Sequence, residues 1–257
     1  MAWYLYLAVI AAGFSGGFIN TLAGSGSLIT LPVLIFLGLP ANVANGTNRV
    51  GILLQNIIGA SSFRRHGVLD LRGALILAIP AIVGSLVGAQ IAVNLNEELL
   101  RRTIGVLMVA MLAVIAVRPQ RWLQGRLDRL EGVPSAQQLL VMFLIGIYGG
   151  FIQAGVGIFL LAALVLGIGY DLVRANAVKV TINLAFTISS LVVFAGNSQV
   201  AWGLGLILGM GNMLGAWTAT RVAVEKGNVW VRRLLMAVVT VAAVHLLGVG
   251  ELLLRIF

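Results

Sequence analysis

Cysteine is missing from all 257 residues, and with it go thiol catalysis, thiolate metal sites and disulfide staples. Acids are scarce as well, with eight Asp and Glu against seventeen Lys and Arg. None stands inside a long apolar run. Asp70, Glu97, Glu98, Asp128, Glu131, Asp171, Glu225 and Glu251 all fall in loops or at the ends of such runs. That placement leaves no buried acid pair for general acid–base work. The two histidines stand apart from each other and from any acid cluster that could share a metal. His66 lies in a basic loop, and His245 stands alone late in the last run, where it remains a candidate proton carrier. An enzyme is therefore not expected, nor a metal or other cofactor. The first apolar run lacks a basic leader and a small-residue cleavage site, so it reads as retained.

Charge of either sign is rare: 10% of residues are charged, 60% are hydrophobic, and the mean hydropathy is +1.05. Soluble domains carry about 25% charged residues, so the composition is that of a polytopic membrane protein. The net charge of +9 does not call for nucleic acid. Lys and Arg collect in the cytoplasmic loops of membrane proteins. Glycine is abundant, at 32 residues, as close helix-on-helix packing in lipid requires.

Apolar runs bounded by charged or Gly/Pro breaks predict spans near 3–22, 27–39, 43–63, 72–94 and 99–117. The second half gives 138–156, 158–170, 174–195, 200–221 and 230–249. Two of these, 27–39 and 158–170, are short. At ~1.5 Å per residue they cover about two-thirds of a ~30 Å hydrocarbon core. Each follows a glycine break, Ala23–Ser27 or Gly155–Gly157.

The halves repeat. Gly13, Gly16, Gly17, Phe18 and Ile19 match Gly146, Gly149, Gly150, Phe151 and Ile152. After a two-residue deletion Gly38 matches Gly169, and Ala44-Asn45 matches Ala175-Asn176. Further on, the stretch from Gly84 to Ala92 is matched with Gly215 to Ala223. The basic loops at Arg64, Arg65 and Arg72, at Arg118, Arg121, Arg126 and Arg129, and at Arg221, Lys226, Arg232 and Arg233 are placed in the cytoplasm. Both termini then come out external, and the repeats are inverted. The expected fold is all-α and polytopic, with 8–10 membrane segments. A first repeat over 1–117 and a second over 138–257 flank a basic linker at 118–137. Each repeat would hold a broken-helix hairpin and three transmembrane helices. Inverted repeats suit secondary transporters, whose substrates bind near the midplane. The G-x-x-x-G patterns at Gly84–Gly88 and Gly211–Gly215 read as close helix packing and not as phosphate loops.

Irregular backbone within lipid is tolerated where it is buried in protein or lines a cavity. At depth, Ser25, Gly26 and Ser27 would open a helix with free amides and hydroxyls, a ready anion site. Gly155 and Gly157 would supply bare backbone to the same site; the alternative is a pair of interfacial turns. Asn20 and Gln153 occupy equivalent repeat positions before the breaks. Asn45, Thr47, Asn48 and Arg49 open the next span of the first half, and Lys179 and Asn183 sit in its counterpart. Arg49 and Lys179 either face a cavity as counter-charge for an anion or snorkel to an interface. Gln55 and Asn56 line that cavity or bond between helices.

At these residues the chain resembles the sulfite exporter TauE/SafE family of membrane permeases. The likeness rests on the glycine-rich opening with Asn20, on Ala23-Gly24-Ser25-Gly26-Ser27 and on Leu31-Pro32-Val33-Leu34. It continues through Gly38-Leu39-Pro40, Ala44-Asn45-Gly46-Thr47-Asn48 and His66-Gly67-Val68-Leu69-Asp70. The resemblance implies an inner-membrane permease for small sulfur-containing anions such as sulfite or sulfonates. The second half departs from the pattern, since Gly155-Val156-Gly157 is shorter and less polar than the first break. The expected partners are such an anion and the lipid bilayer, with no nucleic acid. A carrier working by alternating access and an anion channel with the same positive cavity both fit. The anion itself, the direction of transport, a coupling proton or sodium ion, and homo-oligomerisation stay open.

Overall fold

The computed structural model describes residues 3–117 and 134–246 and is all-helical over them. In chain order the helices are α1 (Trp3–Ala23), α2 (Ser27–Phe36), α3 (Ala41–Arg65), α4 (Leu71–Asn94) and α5 (Glu97–Val117). The second half repeats the order with α6 (Ala136–Phe151), α7 (Val156–Ala162), α8 (Leu172–Gly196) and α9 (Trp202–Leu246). α7 runs on into a π-helical turn over Ala163–Ile168. The two spans expected at 200–221 and 230–249 are one helical run, interrupted at Gly227 with φ 68° and ψ −170°. Most of the linker expected at 118–137, with its four arginines, lies outside the described residues, as does the His245 side chain.

Local chemistry places the ends. The Asp70 carboxylate accepts from Gly73 N–H at 2.9 Å and caps α4. Asp171 does the same for α8 through the Val173 and Arg174 amides. Ser135 and Gln138 form a reciprocal capping box on α6. Gly38 (φ 91°) and Gly169 (φ 102°) close the two short segments in the left-handed region that favours glycine. The carboxylates thus serve helix ends, where they favour the positive pole of the dipole.

Tyr4–Ala23, Leu71–Asn94 and Leu172–Gly196 are long and apolar enough to cross a membrane. Ser27–Phe36, Ala136–Phe151 and Val156–Ile168 are shorter apolar helices. α1 packs along α9 and α4 along α6, while α3 lies against α9 and α4 against α8. Each pairing joins one half to the other, and exchanging the halves turns each pairing into another of the set.

Glycines set the closest approaches. A Cβ on Gly13 would sit 2.4 Å from the Leu208 carbonyl oxygen, and one on Gly146 would sit 2.3 Å from that of Ala81. Gly84 meets Phe143 and Ile147, whereas Gly211 meets Ile10 and Phe14. Gly88 meets Ile147 and Phe151, whereas Gly215 meets Phe14 and Phe18. With Phe18 equivalent to Phe151, these contacts pair Gly84 with Gly211 and Gly88 with Gly215. The match of Gly84 with Gly215 is therefore displaced by one helical turn. Glycines four residues apart superpose equally well after such a slip, so the letters alone favour neither register. The contacts do.

Candidate functional site

Both breaks are built on a left-handed glycine, Gly24 at φ 78° and Gly155 at φ 75°. After Gly24 the chain re-enters a helix, with Leu28 N–H bonded to Ser25 O and Ile29 N–H to Gly26 O, both at 3.0 Å. No described protein group accepts from the amides of Ser25, Gly26 and Ser27. The Ser27 hydroxyl is buried, 2% exposed, and likewise lacks a partner. Gly26 fits only because it has no side chain, since a Cβ there would lie 1.9 Å from the Gly16 carbonyl oxygen. The second break lies directly against the first. A Cβ on Gly24 would stand 2.3 Å from the Gly157 carbonyl carbon, and one on Gly157 would stand 2.4 Å from Gly24 Cα.

Around the paired tips lie two polar chains. In one, the Asn20 amide donates to Gln55 Oε1 (3.2 Å) and Gln55 donates to Asn56 Oδ1 (3.3 Å), which leaves Asn56 Nδ2 unpartnered. In the other, the Gln153 amide donates to Asn183 Oδ1 (2.9 Å) and to the Thr187 hydroxyl, and Gln153 Oε1 is unpartnered. Asn20 and Gln153 thus play matching parts, as their repeat positions suggest.

The cations are deeply placed and do not snorkel, with Arg49 at 0% and Lys179 at 1% exposure. Lys179 Nζ donates to the carbonyls of Asn20 (2.9 Å) and Thr21 (2.8 Å) and to Asn176 Oδ1 (2.7 Å). Arg49 donates to the carbonyls of Gly149 (3.1 Å) and Gly150 (2.6 Å) and to the Ser190 hydroxyl (2.8 Å). Its guanidinium also lies over the Phe194 ring, 4.4 Å from the centroid. Each cation therefore caps the C-terminal carbonyls of the broken helix in the opposite half, where a helix has unpaired acceptors and the negative end of its dipole. In this conformation the ammonium hydrogens are all engaged, and only Arg49 Nε remains unpartnered.

The other expected residues divide in two. Asn45 donates to Phe151 O at 2.8 Å and joins the Arg49 clamp. Asn48 Oδ1 accepts from the Thr30 hydroxyl at 2.6 Å, on the side of α2. Thr47 is occupied elsewhere, accepting from Ala201 N–H at 2.9 Å just before α9. All thirteen expected site residues, the three glycines included, are buried. A cavity of about 480 Å³, lined by Ser135, Gln138, Met142, Ala163 and Gly167 among others, lies at the start of α6 and includes none of them.

Asn212 is a further polar residue at the tips that the sequence pattern does not single out. It is buried on α9 with Oδ1 unpartnered, and Gly17 packs against its backbone as Gly150 packs against Ser85. The one-turn slip in the repeat match hid the equivalence of Ser85 and Asn212, two polar residues embedded in G-x-x-x-G runs.

Comparison with known proteins finds membrane transporters of similar length. The chain is 29% identical to a probable membrane transporter protein, ORF9, of Sinorhizobium sp., over 96% of this chain and 94% of that one. It is 29% identical to the probable membrane transporter protein YfcA of Escherichia coli, over 90% and 85%. A probable membrane transporter protein of Haemophilus influenzae is 27% identical over 89% of each chain. No solved structure matches. The family model for the sulfite exporter TauE/SafE matches residues 9–246, which takes in both tips, both clamps, most of α1 and every later helix. The chain belongs to the sulfite exporter TauE/SafE family of membrane transporters.

Proposed function

We propose that this transporter carries small sulfur-containing anions, such as sulfite or sulfonates, across the inner membrane by alternating access. Its two halves act as inverted repeats around a central site at the meeting of the two tips. The observation that carries this reading is the first tip. Three amides and the Ser27 hydroxyl at the start of α2 have no protein acceptor although they are buried. Buried donors are nearly always satisfied, so an unsatisfied cluster at a helix N-terminus invites an oxyanion. Asn56 Nδ2 in the neighbouring polar chain and Asn176 Nδ2 beside Lys179 add unpartnered amide donors.

Arg49 and Lys179 contribute to this site through their field more than by direct contact. They set two positive charges in the core, and no described carboxylate bonds to either. Low dielectric lengthens the reach of such charges. Family membership supports the sulfur-anion class. Complete burial of the thirteen residues supports a carrier in an occluded state over an open channel.

The test is Ser27→Ala, measured for sulfite and methanesulfonate binding and for thermal unfolding in detergent. A hydrogen bond to an anion is worth about 1.5–3 kcal/mol, so affinity is expected to fall about 10- to 100-fold. Stability should change by less than about 1 kcal/mol, because the hydroxyl has no protein partner to lose. Unchanged affinity for both anions would remove the first tip from the site.

A further inference from the structure

We infer that Lys179 is the proton-binding group through which this carrier couples anion movement to a proton, an inference that rests on the anion-carrier reading above. The ground is the match of donors to acceptors. An ammonium has three N–H donors and no lone pair. Lys179 Nζ has three oxygen partners at 2.7–2.9 Å, the Asn20 and Thr21 carbonyls and Asn176 Oδ1. A neutral amine has two N–H groups and a lone pair, and the lone pair would face one of these oxygens. Loss of the proton therefore breaks one of three bonds and turns it repulsive. Two of the three oxygens sit on the last turn of α1, a few residues before Gly24, and the third on α8, so the full tie between these helices needs the proton.

Arg49 makes the equivalent clamp on α6 but cannot switch, because a guanidinium keeps its charge. One tip helix is thus held permanently, and the other is held by its full set of bonds only while Lys179 is protonated. An anion at the first tip favours the charged form of a lysine close by. The anion and the proton then bind together, and the proton passes from Nζ to water on the side where the anion leaves.

Among the described side chains, no other group on the neighbouring elements competes for this part. On α8 itself, Asp171 and Arg174 lie at the opening of the helix and interact with each other. α7 has no titratable side chain. Tyr4 and Tyr6 stand at the far end of α1 and are exposed. Arg64 and Arg65 end α3 and Arg72 begins α4, all exposed. Tyr148 on α6 donates to Ala154 O. Arg221, Glu225, Lys226 and Arg233 on α9 are exposed. Arg49 on α3 bonds Ser190, eleven residues beyond Lys179 on α8 and so about 16 Å along it.

The experiment measures protons taken up per anion bound, in weakly buffered detergent solution, with methanesulfonate as the anion because it brings no proton of its own near neutrality. Wild-type protein is expected to take up close to one proton per anion at a pH where free Lys179 is mostly neutral, a fraction of one where it is partly neutral, and close to none well below that range. In Lys179→Arg the ratio should fall to near zero at every pH, whatever affinity remains. In Asn176→Ala, which removes one of the three acceptors, the pH midpoint of uptake should move. A zero ratio for the wild type at all pH values, with methanesulfonate still bound and exchanged in proteoliposomes, overturns the coupling and leaves the carrier standing. An unchanged ratio in Lys179→Arg, or an unmoved midpoint in Asn176→Ala, overturns the assignment to Lys179. Failure of the wild type to bind or exchange either methanesulfonate or sulfite overturns the carrier reading and this inference with it.

Discussion

Replacing Gly24 by alanine tests whether the two tips touch. Two costs fall on this one change. Gly24 is at φ 78°, and an L-residue in the left-handed region costs about 1–2 kcal/mol. The added Cβ would lie 2.3 Å from the Gly157 carbonyl carbon and 2.5 Å from its Cα, both backbone atoms that cannot swing aside. Overpacking of that kind costs about 1–3 kcal/mol more. The sum, about 2–5 kcal/mol, is a large share of the 5–15 kcal/mol that holds a typical protein folded. Gly38 separates the two terms, since its φ is 91° and nothing lies within 4 Å of its Cβ position, so Gly38→Ala carries the strain alone. Reversible denaturant unfolding in mixed micelles, read by intrinsic tryptophan fluorescence, should place Gly24→Ala about 1–3 kcal/mol below Gly38→Ala. If the two variants unfold alike, the tips do not meet at Gly24 and Gly157, and a site built at their junction loses its foundation.

Arg49→Ala should destabilise by about 3–5 kcal/mol in the same assay, because it strips the buried α6 carbonyls of their charged donor and leaves a void beside Phe194. Arg49→Lys should recover part of that loss, since one ammonium cannot reproduce the spread of a guanidinium over Gly149, Gly150 and Ser190; full recovery would contradict the geometry. At the loop before α8, burial first and then the hydrogen bond to Asp70 hold the Tyr170 hydroxyl above its ordinary range. A raised folded-state value means that the folded protein binds more protons than the unfolded chain from about pH 10 upward, so this contribution to stability is complete below about pH 10 and drains away as the pH rises. Tyr170→Phe should cost about 1 kcal/mol at pH 8 and flatten the alkaline limb of the stability curve; an unaltered limb would refute the link.

Much of the helix order is legible in the letters, for a clear reason. Runs such as Leu71–Asn94 and Leu172–Gly196 are bounded by Asp70 and Asp171, whose carboxylates cap them, and the short segments end at glycines that must be left-handed. The breaks and the matching of Asn20 with Gln153 are also readable, because a broken apolar helix needs polar company. What escapes is whatever depends on register and reach. The G-x-x-x-G period equals about one helical turn, so the α4–α9 match could slip by four residues without penalty, and Asn212 stayed hidden. Nor does a lone cation within a span reveal its partner. Arg49 and Lys179 read as counter-charge for an anion or as snorkelling cations, yet each spends two bonds on backbone carbonyls a hundred or more residues away. Backbone acceptors leave no trace in a sequence.

The crossed clamps also fix an order of assembly. The end of α1 is finished by a side chain 159 residues later in the chain, so a nascent protein inserts its first hairpin with that end bare. The first half alone carries Arg49 with no α6 to receive it, and the second half alone carries Lys179 with no α1. Either half made separately would hold an orphaned charge in lipid, which is costly. Gene halves expressed apart should therefore be degraded singly and rescued together. The end of α1 gains its charged partner only when translation has passed Lys179, so the first tip is completed by the second half of the chain.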